Sequence, residues 1–160
     1  MTGSAPRAAV ITCSTRAAAG VYPDRGGPLI AAALAGWGFI VGEPLVVPDG
    51  PQVERALAAA VSAYDVVLTT GGTGCSPTDR TPEATRAVLD REIPGVAEAI
   101  RAAGVSAGVP TAMLSRGVAG LAGACVIVNL PGSSGGVRDA LAVLEPVLMH
   151  LVAQVRGGDH

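Results

Sequence analysis

The sequence predicts an α/β protein, a three-layer sandwich whose mostly parallel sheet carries helices on both faces. Three observations lead there. Short runs rich in Val and Ile alternate with longer amphipathic stretches, and apolar strands separated by helices are what a parallel sheet covered on both sides requires. The 160 residues show no tandem repeat and no linker, which fits one domain over 1–160. Hydrophobic residues make up 49% and charged residues 15%, so a core can form and a disordered chain is excluded. With 29 Ala and 21 Val against one Trp, one Phe and two Tyr, that core is built from small side chains and its helices pack closely.

The first strand is read at Ala8 to Cys13, followed by a loop through Ser14, Thr15, Arg16 and Gly20 to Gly27 and a helix from Pro28 to Trp37. A second strand lies within Phe39 to Val47. It stops at Pro48-Asp49-Gly50-Pro51, a cluster that continues neither strand nor helix. Val53, Leu57, Val61 and Tyr64 then mark one face of a helix over Pro51 to Tyr64, with Pro51 tolerated in its first turn. The strongest strand is Asp65 to Thr70. After the loop Gly71 to Arg80, Thr81 is expected to cap a helix that has Pro82 at its first position and Glu83 at the positive end of its dipole. A further helix is placed at Pro94 to Ala103. The last strand, Cys125 to Leu130, ends at Pro131-Gly132-Ser133-Ser134-Gly135-Gly136, and one final helix runs to Val155 with Leu141, Leu144, Leu148 and Leu151 on one face.

Composition removes several function classes. A net charge of -2 lacks the positive field that counterion-release binding to nucleic acid needs. All eleven basic residues are Arg, which excludes the P-loop lysine, Schiff-base chemistry and a lysine base. Any bound phosphate must be held by backbone amides and arginines. Cys13, Cys75 and Cys125 form no Cys-x-x-Cys pair and indicate a reducing compartment rather than a disulfide framework. Arg7 interrupts the apolar N-terminal stretch and no run reaches the length of a membrane span, so a cytoplasmic protein with no membrane partner is expected. His150 and the terminal His160 offer no histidine triad or metal site.

Ligands of open α/β sheets bind beyond the carboxyl ends of the strands. Four loops fall there: Ser14 to Arg25, Pro48 to Gly50, Gly71 to Asp79, and Asn129 to Gly136. Thr69-Thr70-Gly71-Gly72-Thr73-Gly74 directly follows a strand, where successive glycines turn backbone N–H groups inward as an anion nest or simply make a turn. The Gly132 to Gly136 segment repeats the theme, and the two together favour a phosphate-bearing ligand. Asp49 and Asp79 fall in two of these loops, as carboxylates for Mg²⁺ on a phosphate ligand or as a turn residue and a helix-start residue. Arg116, beside Ser115, is either a fork for phosphate oxygens or a solvated surface arginine. Gly117, Gly120 and Gly123 read as small residues permitting close packing.

Thr70-Gly71-Gly72-Thr73-Gly74, Pro77-Thr78-Asp79-Arg80-Thr81-Pro82-Glu83-Ala84-Thr85, Leu114-Ser115-Arg116 and Asn129-Leu130-Pro131-Gly132-Ser133 together resemble the MogA/MoaB family of molybdenum-cofactor biosynthesis. Gly20, Asp24 and Arg25 are similar to its first loop, and Val47-Pro48-Asp49 to the segment holding an essential aspartate. The resemblance covers nearly the whole chain. It implies adenylyl transfer from Mg-ATP to molybdopterin with release of pyrophosphate. On that reading Asp49 and Asp79 serve Mg²⁺ and catalysis. Ser14, Gly71, Gly72, Thr73, Gly74, Ser115, Arg116, Asn129, Pro131, Gly132 and Ser133 hold pterin and nucleotide. It also implies a homotrimer or a hexamer of two trimers, with a molybdenum-insertion enzyme as a partner protein. Gly50 stands where active members often carry an acidic residue, and Arg80 where they often carry Val. The alternative within the same fold is a catalytically silent MoaB-type molybdopterin-binding protein.

Overall fold

A computed structural model describes residues 3–158; His160 lies outside them. In chain order the elements begin with β1 (Arg7–Cys13), the single turn α1 (Thr15–Ala18), α2 (Gly26–Gly36), β2 (Ile40–Val41), β3 (Leu45–Val47), α3 (Pro51–Val61) and β4 (Val66–Thr70). They continue with α4 (Thr81–Val88), β5 (Arg91–Glu92), α5 (Pro94–Ser106), a 3₁₀ turn (Pro110–Leu114), β6 (Ala119–Ala122), β7 (Cys125–Leu130), α6 (Ser134–Leu144) and α7 (Leu148–Val155).

The strands form one sheet in the order β2-β1-β4-β7-β6-β5, with β3 pairing on β1 beside β2. β1 pairs parallel with β2, β3 and β4, and β4 pairs parallel with β7. β6 runs antiparallel between β7 and β5. Side chains alternate across this sheet, as a period of two demands. Ala8, Val10, Val66, Leu68, Val126 and Val128 pack against Ile30, Leu34, Ile100, Val137, Leu144 and Leu148 of α2, α5, α6 and α7. Ile11, Cys13, Val67 and Ile127 pack on the other face against Val53, Leu57 and Ala84 of α3 and α4. The two cores are the outer interfaces of the expected sandwich.

Several elements differ from the sequence reading. The second strand is two short pieces, because Pro44 lacks the N–H that pairing needs. Thr81 does not cap α4; it is the first helical residue, and Arg80 precedes it without a side-chain cap. The final helix is broken into α6 and α7 at Glu145-Pro146-Val147, since a proline ring clashes with the preceding turn. β5 and β6 went unread. Gly120 belongs to β6, where a Cβ would overlap the Arg91 carbonyl oxygen, so its smallness serves close strand packing. Gly123, at φ +57, makes the tight turn between β6 and β7.

Candidate functional site

The chain leaves β1, adds β3 on one side, and returns to place β4 on the other side. Such a reversal opens a crevice at the carboxyl ends of the two flanking strands. Because β1, β3, β4 and β7 are parallel, the four loops singled out from the sequence emerge at the same edge. All four line one groove of about 910 Å³, which includes Ser14, Arg16, Asp24, Arg25, Asp49, Gly71, Gly72, Asp79, Gly132 and Ser133. Asp49 and Asp79 therefore share a crevice, although β1 lies between the strands that precede them.

A second groove of about 680 Å³ runs along α5, the 3₁₀ turn and α6. Its apolar wall includes Ile100, Val109, Ala112 and Leu114, while Thr73, Gly74, Ser115 and Pro131 belong to its polar end. Gly72, Asp79, Gly132 and Ser133 line both grooves. The two spaces thus meet at the glycine loops.

Backbone sterics select glycine at that junction. Gly71 and Gly72 have φ +90 and +66, a region L side chains rarely enter. A Cβ on Gly71 would overlap the Cys13 carbonyl oxygen. Ser133 caps α6 by accepting a hydrogen bond from Gly136 N at 3.0 Å, and this helix N-terminus turns its positive dipole end to the junction. Thr70 Oγ1 donates to the Pro131 carbonyl at 2.6 Å and ties the two glycine loops together. Gly50, the residue before α3, has φ +116; an acidic side chain at that position would strain the backbone.

Asp49 is held by Thr15, whose N–H and hydroxyl donate to Oδ2 at 3.2 and 3.1 Å. Its Oδ1 is buried and has no hydrogen-bond partner among the described residues. Asp79 Oδ2 accepts from Ser76 N at 3.0 Å. A carboxylate oxygen left without a protein donor, with a second carboxylate lining the same groove, suits a hard cation such as Mg²⁺, which takes one or two carboxylates and substrate phosphates. No cluster of three His, Cys, Asp or Glu occurs among the described residues, so phosphate oxygens would complete such a coordination shell. Cys13 lies on the same wall. Burial pushes its thiol up to about 12, and a soft sulfur does not suit a hard cation such as Mg²⁺.

Two expected ligand-binding residues point elsewhere. Arg116 Nε donates to the Gly74 carbonyl and Nη2 to the Asp79 carbonyl, both at 2.8 Å, and Nη1 pairs with Glu83. Its guanidinium is committed to bracing the Gly74–Asp79 loop. Asn129 is buried; its Oδ1 accepts from Val118 N, and Nδ2 donates to Thr69 Oγ1 and Thr85 Oγ1 at 3.0 and 2.9 Å. It joins β7 to β4 and α4 and lines neither groove. Ser14 caps α1 through Ala17 N and bonds the Tyr22 hydroxyl. Ser115 Oγ accepts from Gly117 N.

Other wall residues lay outside the expected ligand set. Asp24 accepts from Thr12 Oγ1 and Gly27 N, both at 3.0 Å, closing the first loop onto α2. An Asp three residues before a helical glycine is a capping signal that the sequence displays. Arg16 and Arg25 line the larger groove and form no ion pair among the described residues. They provide the positive charge that a chain without lysine must supply from arginine.

Residues 9–150 match a family described as "Probable molybdopterin binding domain". A "Molybdenum cofactor biosynthesis bifunctional protein" of Synechococcus elongatus is 42% identical over 155 residues, which are 96% of this chain and 48% of that protein. The chain spans about half the length of that relative. A molybdopterin adenylyltransferase of Helicobacter pylori is 35% identical over 153 residues, covering 92% of this chain and 86% of that one. The solved structure of the molybdopterin biosynthesis Mog protein from Mycobacterium ulcerans superposes with a TM-score of 0.90 at 56% identity, covering 94% and 99% of the two chains.

Proposed function

Because the chain belongs to the molybdopterin-binding domain family, we propose that it catalyses adenylyl transfer to molybdopterin in molybdenum-cofactor biosynthesis. The observation that carries this reading is the meeting of two grooves along Gly72, Asp79, Gly132 and Ser133. Two phosphate-bearing substrates seated in separate grooves bring their phosphates together at that shared wall. A terminal phosphate oxygen of molybdopterin attacks the α-phosphorus of ATP, the α–β bridging bond breaks, and pyrophosphate leaves with the bonding electrons. Positioning and electrostatics do most of the work in such a transfer.

The amides of Gly71 to Gly74 and the N-terminus of α6 at Ser133 bind phosphate oxygens, and Arg16 and Arg25 add charge from the larger groove. Asp49 and Asp79 hold Mg²⁺, which when bound neutralises developing phosphate charge. Arg116 keeps the Asp79 loop in place. On this reading the protein works in the cytoplasm as a homotrimer or a pair of trimers, with a molybdenum-insertion enzyme as a partner protein. No described helix is long and apolar enough to cross a membrane.

Purified protein incubated with molybdopterin and Mg-ATP tests the reaction, with chromatographic detection of adenylylated molybdopterin and an enzymatic assay for pyrophosphate. Both products are expected. Absence of both with retained pterin affinity replaces the enzyme by a silent binding protein; tight ATP binding without molybdopterin affinity contradicts both readings.

A further inference from the structure

Three buried side-chain oxygens lack a hydrogen-bond partner among the described residues, and two of them, Asp49 Oδ1 and Thr81 Oγ1, border the same glycine. A Cβ on Gly72 would overlap Thr81 Oγ1 and lie 3.0 Å from Asp49 Oδ1. Both oxygens therefore crowd the position where a side chain on Gly72 would start. Buried polar atoms in native structures are satisfied by protein, water or an ion, so an adjacent pair of orphans calls for a shared partner.

The rest of Thr81 is already accounted for. It is 1% exposed, its N–H donates to the Gly72 carbonyl at 3.1 Å, and its carbonyl accepts from Thr85 Oγ1 at 2.8 Å. Only the hydroxyl is left, and its neighbour there is the Cys13 thiol, a weak hydrogen-bonding group. Asp49 is likewise fixed at one oxygen by Thr15 and open at the other. We propose that Thr81 is a positioning residue for Asp49, its hydroxyl reaching Oδ1 through one bridging oxygen-binding partner, a water molecule or a divalent cation, in the space beside Gly72. This rests on the adenylyl-transfer reading for its catalytic consequence but not for its geometry. A carboxylate pinned at both oxygens presents one fixed orientation to the phosphates, and loss of such an outer contact typically costs ~10–100-fold in activity or metal affinity.

A crystal structure of the wild-type protein grown with Mn²⁺ tests the geometry, whether or not the protein turns over. One ordered atom in contact with both oxygens is expected; an anomalous signal identifies it as the cation, and its lack identifies it as water. No bridging atom, or Oδ1 rotated onto another partner, overturns the assignment. In the kinetic arm, Thr81→Val removes the hydroxyl with little change of shape. It is expected to lower kcat ~10–100-fold with KM nearly unchanged and melting preserved, and Thr81→Ser restores most of the loss. A Val variant at wild-type kcat, or a Ser variant as slow as the Val variant, contradicts the role. If the wild-type protein adenylylates nothing, the proposed function fails by itself and the crystallographic arm still decides the place of Thr81.

Discussion

At Arg116 a guanidinium is spent on the chain's own backbone, holding the Gly74 and Asp79 carbonyls and the Glu83 carboxylate. The Arg116 hydrogen bond holds the Glu83 carboxyl below its usual range. A depressed folded-state value means that the charged form favours the fold. The brace is therefore fully present above the ordinary glutamate value of ~4.3 and is lost as pH falls through the lower folded value. Melting curves across pH are expected to show wild type above Glu83→Gln at neutral pH, with the gap closing below ~4. Asn129 is the opposite kind of residue, buried and saturated. Asn129→Ala strands the Thr69 hydroxyl and the Val118 amide, while Thr85 keeps its bond to the Thr81 carbonyl; at ~1–3 kcal/mol for an unsatisfied buried group, urea unfolding should report a loss of at least that order. Both residues were visible in the sequence as polar positions near glycine loops. Their direction was not, because all the partners of Arg116 and two of the three of Asn129 lie more than thirty positions away in the chain.

The central strands were legible because Val66–Thr70 and Cys125–Leu130 are continuous runs buried on both faces, where only apolar or saturated side chains survive. β5 and β6 were not. The first is two charged residues, and the second, Ala119-Gly120-Leu121-Ala122, has no β-branched residue. Its pairing is enforced by tertiary closeness at Gly120. Gly120→Ala drives a methyl into the Arg91 carbonyl and should destabilise by ~1–3 kcal/mol. Gly95→Ala in α5 meets nothing within 4 Å and should stabilise by ~0.4–1 kcal/mol. Urea midpoints of the two variants moving in the same direction would contradict this reading of the backbone. Asp49 and Asp79 were legible as a pair since both follow parallel strands, whereas the second groove depends on the 3₁₀ turn at Pro110–Leu114, which has no hydrophobic period to read.

For the whole molecule, the parallel strands set one edge where four loops converge, and the helices on the two faces leave that edge open to substrates. Val105, Val109, Met113 and Leu114 remain exposed at the end of α5 and the adjoining turn, and exposed apolar side chains of this kind favour association. Light scattering at micromolar concentration should give a closed homo-oligomer, three subunits or six; a monomer would contradict that assembly. We propose that transfer takes place where the two grooves meet, with Asp49 and Asp79 facing the same phosphates. The most direct measurement is single-turnover adenylylation of bound molybdopterin by Mg-ATP in wild type, Asp49→Ala and Asp79→Ala, with pterin affinity measured in parallel. Each tenfold loss of rate reports ~1.36 kcal/mol of lost transition-state stabilisation. Both variants are expected to keep their fold and their molybdopterin while the transfer rate falls by at least ~100-fold, or about 2.7 kcal/mol. Turnover at the wild-type rate in both variants would contradict it.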